Sequence, residues 1–445
     1  MRGFKSTLAL IVVLAGLGAY IYFGMKEDGA GGSKQEKVFA GLDTSRIDDI
    51  KVKSESGDVT SVKKGANGWQ IVSPAAPKAS EPELAGITSA LGSMDIPRVL
   101  EENPTDLKAY GLDAPRIEVE FKSADGKTSG HLLIGAKTAT GSNLYAKRAD
   151  QKRVVLISSF QESAFNKSTF DLRDKTFMTF TRSSVTGIDV MADGKVTQLE
   201  KAGEGWKLLK PLAARADTSA AEGLIGRLET AQMKSIVTDE ATPADLKKYG
   251  LDSPSVSVIL KLGSAQATLA VGSKAGENDV YVRDASKPTI ATVEKSLAED
   301  LKKGAEDYRR KDLFEFRAFN ATRMEFTRDG KTVAFERVKG KDNAPDTWKR
   351  VSPTAADAAK DKIESLLTGL ADIRAQSFTA TRANTGLDSP ALIVLAKFDE
   401  GKKEERVSFG RSGKDVYAAT VDPGAAKIEA SRVDEAIKTL DELSK

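Results

Sequence analysis

After an uncharged apolar run at residues 7–25, the chain breaks into short alternating strands and brief helical stretches whose pattern recurs three times. Each tryptophan stands five residues before a proline: Trp69 and Pro74, Trp206 and Pro211, Trp348 and Pro353. Counted from those prolines, apolar residues return at +13, +17 and +20: Ile87, Leu91 and Met94, then Leu224, Leu228 and Ala231, then Leu366, Leu370 and Ile373. Offsets of 0, 4 and 7 mark one face of a helix. Ser80 with Glu83, and Ser219 with Glu222, fit capping boxes at its start in the first two copies. Before each tryptophan lie paired alternating stretches, IDDIKV with VTSVKK, GIDVMA with VTQLEK, and RMEFTR with TVAFER, each pair separated by a glycine-containing turn.

A second marker follows each helix. Residues 103–115 read NPTDLKAYGLDAP and 242–254 read TPADLKKYGLDSP, identical at nine of thirteen positions, while the third copy keeps only Gly386-Leu387-Asp388-Ser389-Pro390. The pattern predicts a short helix with Asn103 or Thr242 at its N-cap and Pro104 or Pro243 in its first position. Gly111 or Gly250 then closes it in a left-handed conformation, and the proline of GLDxP starts a strand. In the third copy TATRANT replaces the helix ahead of Gly386. Alternating strands follow at Ile117, Val119 and Phe121 and at Val256, Val258 and Leu260; LLIG, LAVG and VSFG come next, then runs at Tyr145, Tyr281 and Tyr417.

The predicted order is therefore β-β-β-helix-helix-β-β-β with a closing helix, an α+β module with mostly antiparallel pairing and packed helices. Its three tandem copies run 41–180, 181–316 and 317–445 behind a tether at 26–40. The joints repeat as well: DLRDKTFMTF at 171–180 matches DYRRKDLFEF at 307–316, aligning Asp171, Arg173 and Lys175 with Asp307, Arg309 and Lys311. These six residues are the candidates for module–module docking, with a ligand cleft at the joint as the alternative.

The uncharged run spans nineteen residues, close to 29 Å at about 1.5 Å per residue, which matches the apolar thickness of a bilayer. Arg2 and Lys5 precede it and no base outweighs them immediately after, so the positive-inside rule orients the N-terminus to the cytoplasm and the bulk outside. The run is longer than the apolar core of a cleaved leader, so an anchor is the expected reading. The Gly- and charge-rich residues that follow read as a flexible tether.

Composition excludes several chemistries. Lys and Arg number 67 against 64 Asp and Glu, and without Arg2 and Lys5 the balance is 65 to 64, which lacks the basic excess of a nucleic-acid binder. There is no cysteine and one histidine, His131, so thiolate catalysis, zinc ribbons and paired-histidine metal sites cannot be built. Asp113, Asp252 and Asp388 recur at one position, but an aspartate after a turn glycine is expected to bond local backbone. Trp69, Trp206 and Trp348 enter strands and are expected in the core rather than as sugar-stacking platforms; Gly223 and Gly226 fall inside a helix. No catalytic, metal or cofactor-binding residue is assigned, and no phosphate-loop or nucleophile-elbow motif occurs.

Anchor, GLDxP turns, Trp-x4-Pro elements and D-x-R-x-K joints together resemble a bacterial family catalogued as domain of unknown function 4340, over nearly the whole chain from Val38. The resemblance implies an exported, single-pass inner-membrane protein with a periplasmic bulk. Its genes often neighbour components of ABC-type transporters, some of them gliding-related. The expected function is a non-enzymatic scaffold or auxiliary subunit for an envelope protein partner. Binding of a glycan, peptide or small solute in an inter-module cleft is the alternative, and an enzyme of unrecognised type the third.

Overall fold

The computed structural model describes residues 36–341 and 344–444. The apolar run and most of the tether lie outside the described residues; among those described, no helix is long and apolar enough to cross a membrane. The architecture is α+β, with three antiparallel sheets and helices packed on them. The chain divides between Lys175 and Thr176 into two compact units, the first with one sheet and the second with two.

The three sheets share one strand order. In the second copy it runs Ala214–Arg215, Gly205–Lys210, Lys195–Ala202, Gly187–Ala192, Val256–Leu262, Ala265–Lys274, Asp279–Asp284, Ile290–Glu294 and Ser235–Thr238. The third copy repeats this from Ala356–Ala358 to Ser377–Thr379. The first lacks only the opening short strand, whose place is held by a single bridge between Gln70 and Lys78. Alternation decides the buried face: Val256, Val258 and Leu260 point into the core while Ser257 and Ile259 do not. Long helices Glu81–Ser93, Thr218–Thr230 and Lys360–Ala371 cover that face, burying Leu84, Ile87 and Leu91, then Leu224, Ile225 and Leu228, then Ile363, Leu366 and Leu370. Each such side chain contributes about 1.5–3 kcal/mol of transfer free energy. Trp69, Trp206 and Trp348 are buried, and each proline that follows them sits after a cis peptide bond.

Two strands per copy, and the short Ala214–Arg215 and Ala356–Ala358, have no counterpart in the sequence reading: Val154–Ser158, Ile290–Glu294 and Ala425–Ile428 add a fourth strand after the GLDxP turn where three were expected, and a further strand crosses the sheet. Arg98–Glu101, Ser235–Thr238 and Ser377–Thr379 leave the long helix and cross to the far edge of the sheet, pairing with Val154–Ser158, Ile290–Glu294 and Ala425–Ile428. They are three or four residues long, too short for a period-2 signal to stand out.

The helix starts also differ from expectation. Ser80 is an N-cap, but the Glu83 carboxylate pairs with Lys167 at 2.6 Å instead of closing a box. In the second copy the N-cap is Asp217, not Ser219, and Glu222 accepts from Trp206 Nε1 at 3.0 Å. The cap residues' own N–H groups are already engaged: Ser80 donates to the Leu172 carbonyl at 2.8 Å and Asp217 to that of Tyr308 at 2.7 Å. A reciprocal carboxylate therefore has nothing left to accept there. Of the predicted short helices, Pro243–Lys248 forms with a Thr242–Asp245 capping box, whereas the first copy has only a 3₁₀ turn, Lys108–Tyr110. There Asp106 accepts from the Lys108 N–H two residues on, which holds a turn rather than a helix start.

Gly111, Gly250 and Gly386 all have positive φ. The glycines ending LLIG, LAVG and VSFG have a different reason. A Cβ on Gly135 would lie 2.2 Å from the Tyr110 carbonyl oxygen, one on Gly272 2.2 Å from that of Tyr249, and one on Gly410 2.6 Å from that of Thr385. The GLDxP turn thus lies directly on the strand, a fit only glycine permits.

The joint residues after the D-x-R motif belong to the module that follows them. Thr176 bridges to Gln232 and Asp312 to Arg374, each twenty-one residues past the module's cis-proline, and Lys37 bridges to Asp95 in the same way. Val38 and Phe39 are buried in the first core, and Leu313, Phe314 and Phe316 in the third. Each module is thus opened by an apolar strap, and boundaries at 40, 180 and 316 cut through it. For the same reason the tether does not extend to residue 40: an edge that would otherwise expose apolar surface draws Val38 and Phe39 in.

Candidate functional site: the joint between the second and third modules

Within the unit Thr176–Lys445, the strap 307–316 passes between two modules, and charged residues gather around it. Arg309 is 5% exposed. Its Nη2 donates to the Pro423 carbonyl at 2.7 Å and its guanidinium stacks 3.9 Å from the Phe378 ring centroid. Burial pulls its pKa down, and the nearby Asp422 carboxylate opposes that shift. Asp422, itself buried, accepts from both the backbone N–H of Arg215 at 2.9 Å and its Nε at 3.0 Å. Arg382 donates to the carbonyls of Thr420, Asp422 and Gly424. The hairpin loop 420–424 of the third module is therefore gripped by one arginine from the second module, one from the strap and one from its own module.

A carboxylate holds the strap from the other side. Glu405 accepts the N–H groups of Glu315 at 2.9 Å and of Phe316 at 2.8 Å. Burial pushes its pKa up, with the Glu315 charge adding to the rise, while those two N–H groups and Arg215 work against it. Glu315 itself bonds to Arg310 at 3.1 Å. A group with a raised folded-state pKa contributes stability that is complete below its unfolded value, 4.5 here, and lost as pH rises through the folded value. Urea unfolding of wild type and Glu405→Gln between pH 4 and pH 8 checks this. The difference is expected to move against wild type as pH rises, and a pH-independent difference would contradict the assignment.

The six candidates named from the sequence divide by role. Asp171 and Asp307 serve locally: Asp171 accepts from Ser168 Oγ at 2.7 Å and Ser168 N at 3.0 Å in a capping box, and Asp307 accepts from Gly304 N at 2.9 Å. Burial opposes ionisation of Asp171, but the Ser168 bonds and the two lysines nearby hold its carboxyl below the usual range. Lys175 lies 3.6 Å from Asp171 and 5.0 Å from the Phe170 ring centroid. Arg173 pairs through its backbone with Ala79. Lys311 joins the strap through its carbonyl, which accepts from Ala375 N at 2.8 Å. Arg309 alone of the six is packed against the loop 420–424. Arg215, Glu405 and Asp422 were not singled out from the sequence, because nothing in their local spacing marks them; their partners are about 90 to 207 residues away.

Other candidates resolve simply. Asp113, Asp252 and Asp388 are exposed on turns, and among the described residues their carboxylates do not bond the local backbone as expected. Backbone bonds such as Leu112 N to Leu107 O at 3.0 Å and Leu251 N to Leu246 O at 2.8 Å close those turns instead. His131 Nε2 lies 3.1 Å from Glu118, which also pairs with Lys53 on the outer sheet face. Among the described residues no group of His, Asp or Glu is arranged to hold a metal ion.

Beside the strap opens a cleft of about 710 Å³, lined among others by Arg215, Arg382, Phe398, Lys403, Arg406 and Val421. Val421 is 85% exposed at its rim. Its lining mixes apolar side chains with charges of both signs, so the cleft suits a polar molecule with an apolar portion.

The sequence model of a family described as Domain of unknown function (DUF4340) matches the chain twice, over residues 69–222 and 206–390. Each match opens at a tryptophan of one module and runs through the strap into the next, so the family's unit contains the joint. No curated protein matches the chain.

Proposed function

The chain belongs to the DUF4340 family, and on that premise we propose that it is a non-enzymatic, membrane-anchored extracytoplasmic scaffold or auxiliary subunit for a protein partner in the cell envelope. The observation that carries this reading is the joint. Its convergent polar groups are engaged in packing rather than poised toward a substrate: Arg215, Arg309 and Asp422 hold one module to the next, and Glu405 fastens the strap into the third. Tandem modules docked this way present surface at a set spacing, which suits binding of a macromolecule. The basic-flanked apolar run at 7–25 supports a single inner-membrane span with the modules in the periplasm. An ABC-type transport or gliding-related complex is the first partner class to test.

The experiment is affinity capture of the full-length chain from detergent-solubilised membranes, beside a version lacking residues 1–25. The full chain is expected in the alkali-resistant membrane fraction with one co-enriched membrane complex, and the shortened one in the soluble fraction. Equal membrane retention of both, or no specific companion for the full chain, would count against the proposal. A second reading, binding of a glycan, peptide or small solute, is favoured by the cleft of about 710 Å³ beside the strap.

A further inference from the structure

The strand Lys403–Ser412 of the third module is paired on one side only over its first half. Against Leu392–Phe398 the ladder runs from Phe409 back to Lys403, but against Asp415–Ala419 it stops at Ser408. Residues 403–407 therefore present a free edge about 16 Å long, at roughly 3.3 Å per residue. The other two modules carry this pairing two residues further. Ala149 donates its N–H to the His131 carbonyl at 2.9 Å, and Ala285 donates to the Thr268 carbonyl at 2.8 Å. Counted back from the glycines of LLIG, LAVG and VSFG, His131, Thr268 and Arg406 stand at one position. The Arg406 carbonyl receives no matching bond from Val421. Ala391 N–H donates to the Phe409 carbonyl, so Phe409, Val407 and Glu405 turn their backbone groups toward Leu392–Phe398. Alternation then turns those of Arg406 and Glu404 to the open side.

The loop that would continue the pairing is held elsewhere. Residues 420–424 are gripped by Arg215, Arg309 and Arg382, and Val421 is left exposed. The space beside the edge is the cleft of about 710 Å³, whose lining includes every residue from Lys403 to Ser408. The other charges of that lining are already engaged. Arg215 pairs with Asp422, and Arg382 donates to loop carbonyls. Lys403 pairs with Asp399 at 3.0 Å, Glu404 with Lys397 at 3.4 Å and Glu315 with Arg310 at 3.1 Å, while Glu405 accepts from the strap. Arg406 is exposed, lines the cleft, and alone of these charged side chains has no partner among the described residues.

We propose that this edge takes an extended segment of a protein partner as an added strand, with an acidic side chain of the segment beside Arg406. A row of outward backbone donors and acceptors is complementary to an extended peptide backbone, which supplies the same groups at the same spacing. The unpartnered guanidinium sets the sign of the charge that the segment carries there. Val421 at the end of the cleft offers it an apolar contact. An exposed free edge is a liability that folds ordinarily cover, as Ala149 and Ala285 begin to do in the other modules. The joint is what keeps this one open, because the arginines that dock the second module hold the loop away from it. The inference rests on the reading that the chain serves a protein partner and names how that partner is held.

Fluorescence anisotropy on the full-length protein in detergent tests it, with fluorescein-labelled Thr-Val-Thr-Asp-Thr-Val-Thr as the probe. Saturable binding is expected. The same peptide with Asn for Asp is expected to bind about threefold more weakly, the size of one surface ion pair. N-methylation of the Asp amide is expected to weaken binding about tenfold, since it removes a backbone donor. Arg406→Pro deletes the outward N–H and leaves the ladder to Leu392–Phe398 intact, so about tenfold weaker binding is expected at an unchanged melting temperature. Arg406→Glu is expected to reverse the preference between the Asp and Asn peptides. No saturable binding to wild type overturns the proposal, as does binding indifferent to N-methylation or to Arg406→Glu. A wild-type chain that sediments as a dimer and becomes monomeric with Arg406→Pro overturns it in favour of a second copy at the edge. Probe binding with no companion in affinity capture supports the edge and overturns the scaffold reading alone.

Discussion

Gly272→Ala is expected to destabilise the unit Thr176–Lys445 by about 2–4 kcal/mol, the upper range for overpacking at a rigid contact. The added methyl would lie 2.2 Å from the Tyr249 carbonyl oxygen and 3.1–3.2 Å from Leu251 and Gly250, and most of those atoms are backbone. They are fixed in turn by the Ser273 N–H, which donates to the same Tyr249 carbonyl at 2.8 Å. Relief requires lifting the whole GLDSP turn off the strand. Alanine normally gains about 0.5–1 kcal/mol over glycine in regular structure, so the clash has to outweigh that gain. Gly86→Ala supplies the contrast: it lies in the helix Glu81–Ser93 with nothing within 4 Å of its Cβ. It is expected to stabilise the first module by about 0.8 kcal/mol. Thermal unfolding of both variants decides the matter, with a fall on the order of 5–15 °C for Gly272→Ala. Wild-type melting of that variant would mean that the turn does not lie on the strand.

Asp422→Ala is the second large expected effect, about 3–5 kcal/mol, because it leaves the buried Arg309 and the half-buried Arg215 without their carboxylate. Arg215 loses two hydrogen bonds, and Arg309, 5% exposed, loses the charge that offsets its burial. The damage should be confined to the joint. Limited trypsin digestion is expected to cut the strap at Arg309, Arg310 or Lys311 sooner than in wild type, leaving the third module's core protected. A cycle with Arg215→Met isolates the pair: if Arg215→Met and Asp422→Ala act additively, the two residues do not hold the joint together.

Much of the repeat was legible in advance because its markers are local. Trp-x4-Pro, the 0, 4, 7 spacing of the long helix and GLDxP each act over a few residues, and the three sheets with one strand order follow them closely. What the pattern misplaced was ownership of the strap. The alignment of 171–180 with 307–316 read as the end of a module, yet Val38 and Phe39 do in the first module what Leu313 and Phe314 do in the third. A repeat without a copy ahead of it reveals which side the shared segment belongs to only once its buried residues are known.

The joint itself was half visible. Arg309 could be found as an aligned position, but Arg215 and Glu405 occur in one copy only. Glu405 pairs across the ladder with Ala396, and the corresponding residues of the other modules are Gly130 and Ala267, so no repeat signal points to it.

From residue order alone came the class of fold, the threefold repetition and the family, since periodicity, turn glycines and helix spacing are properties of neighbouring residues. Only packing in three dimensions decided which module owns each strap and which charges meet across the joint. Those outcomes depend on contacts between residues far apart in the chain, and no local pattern encodes such distances.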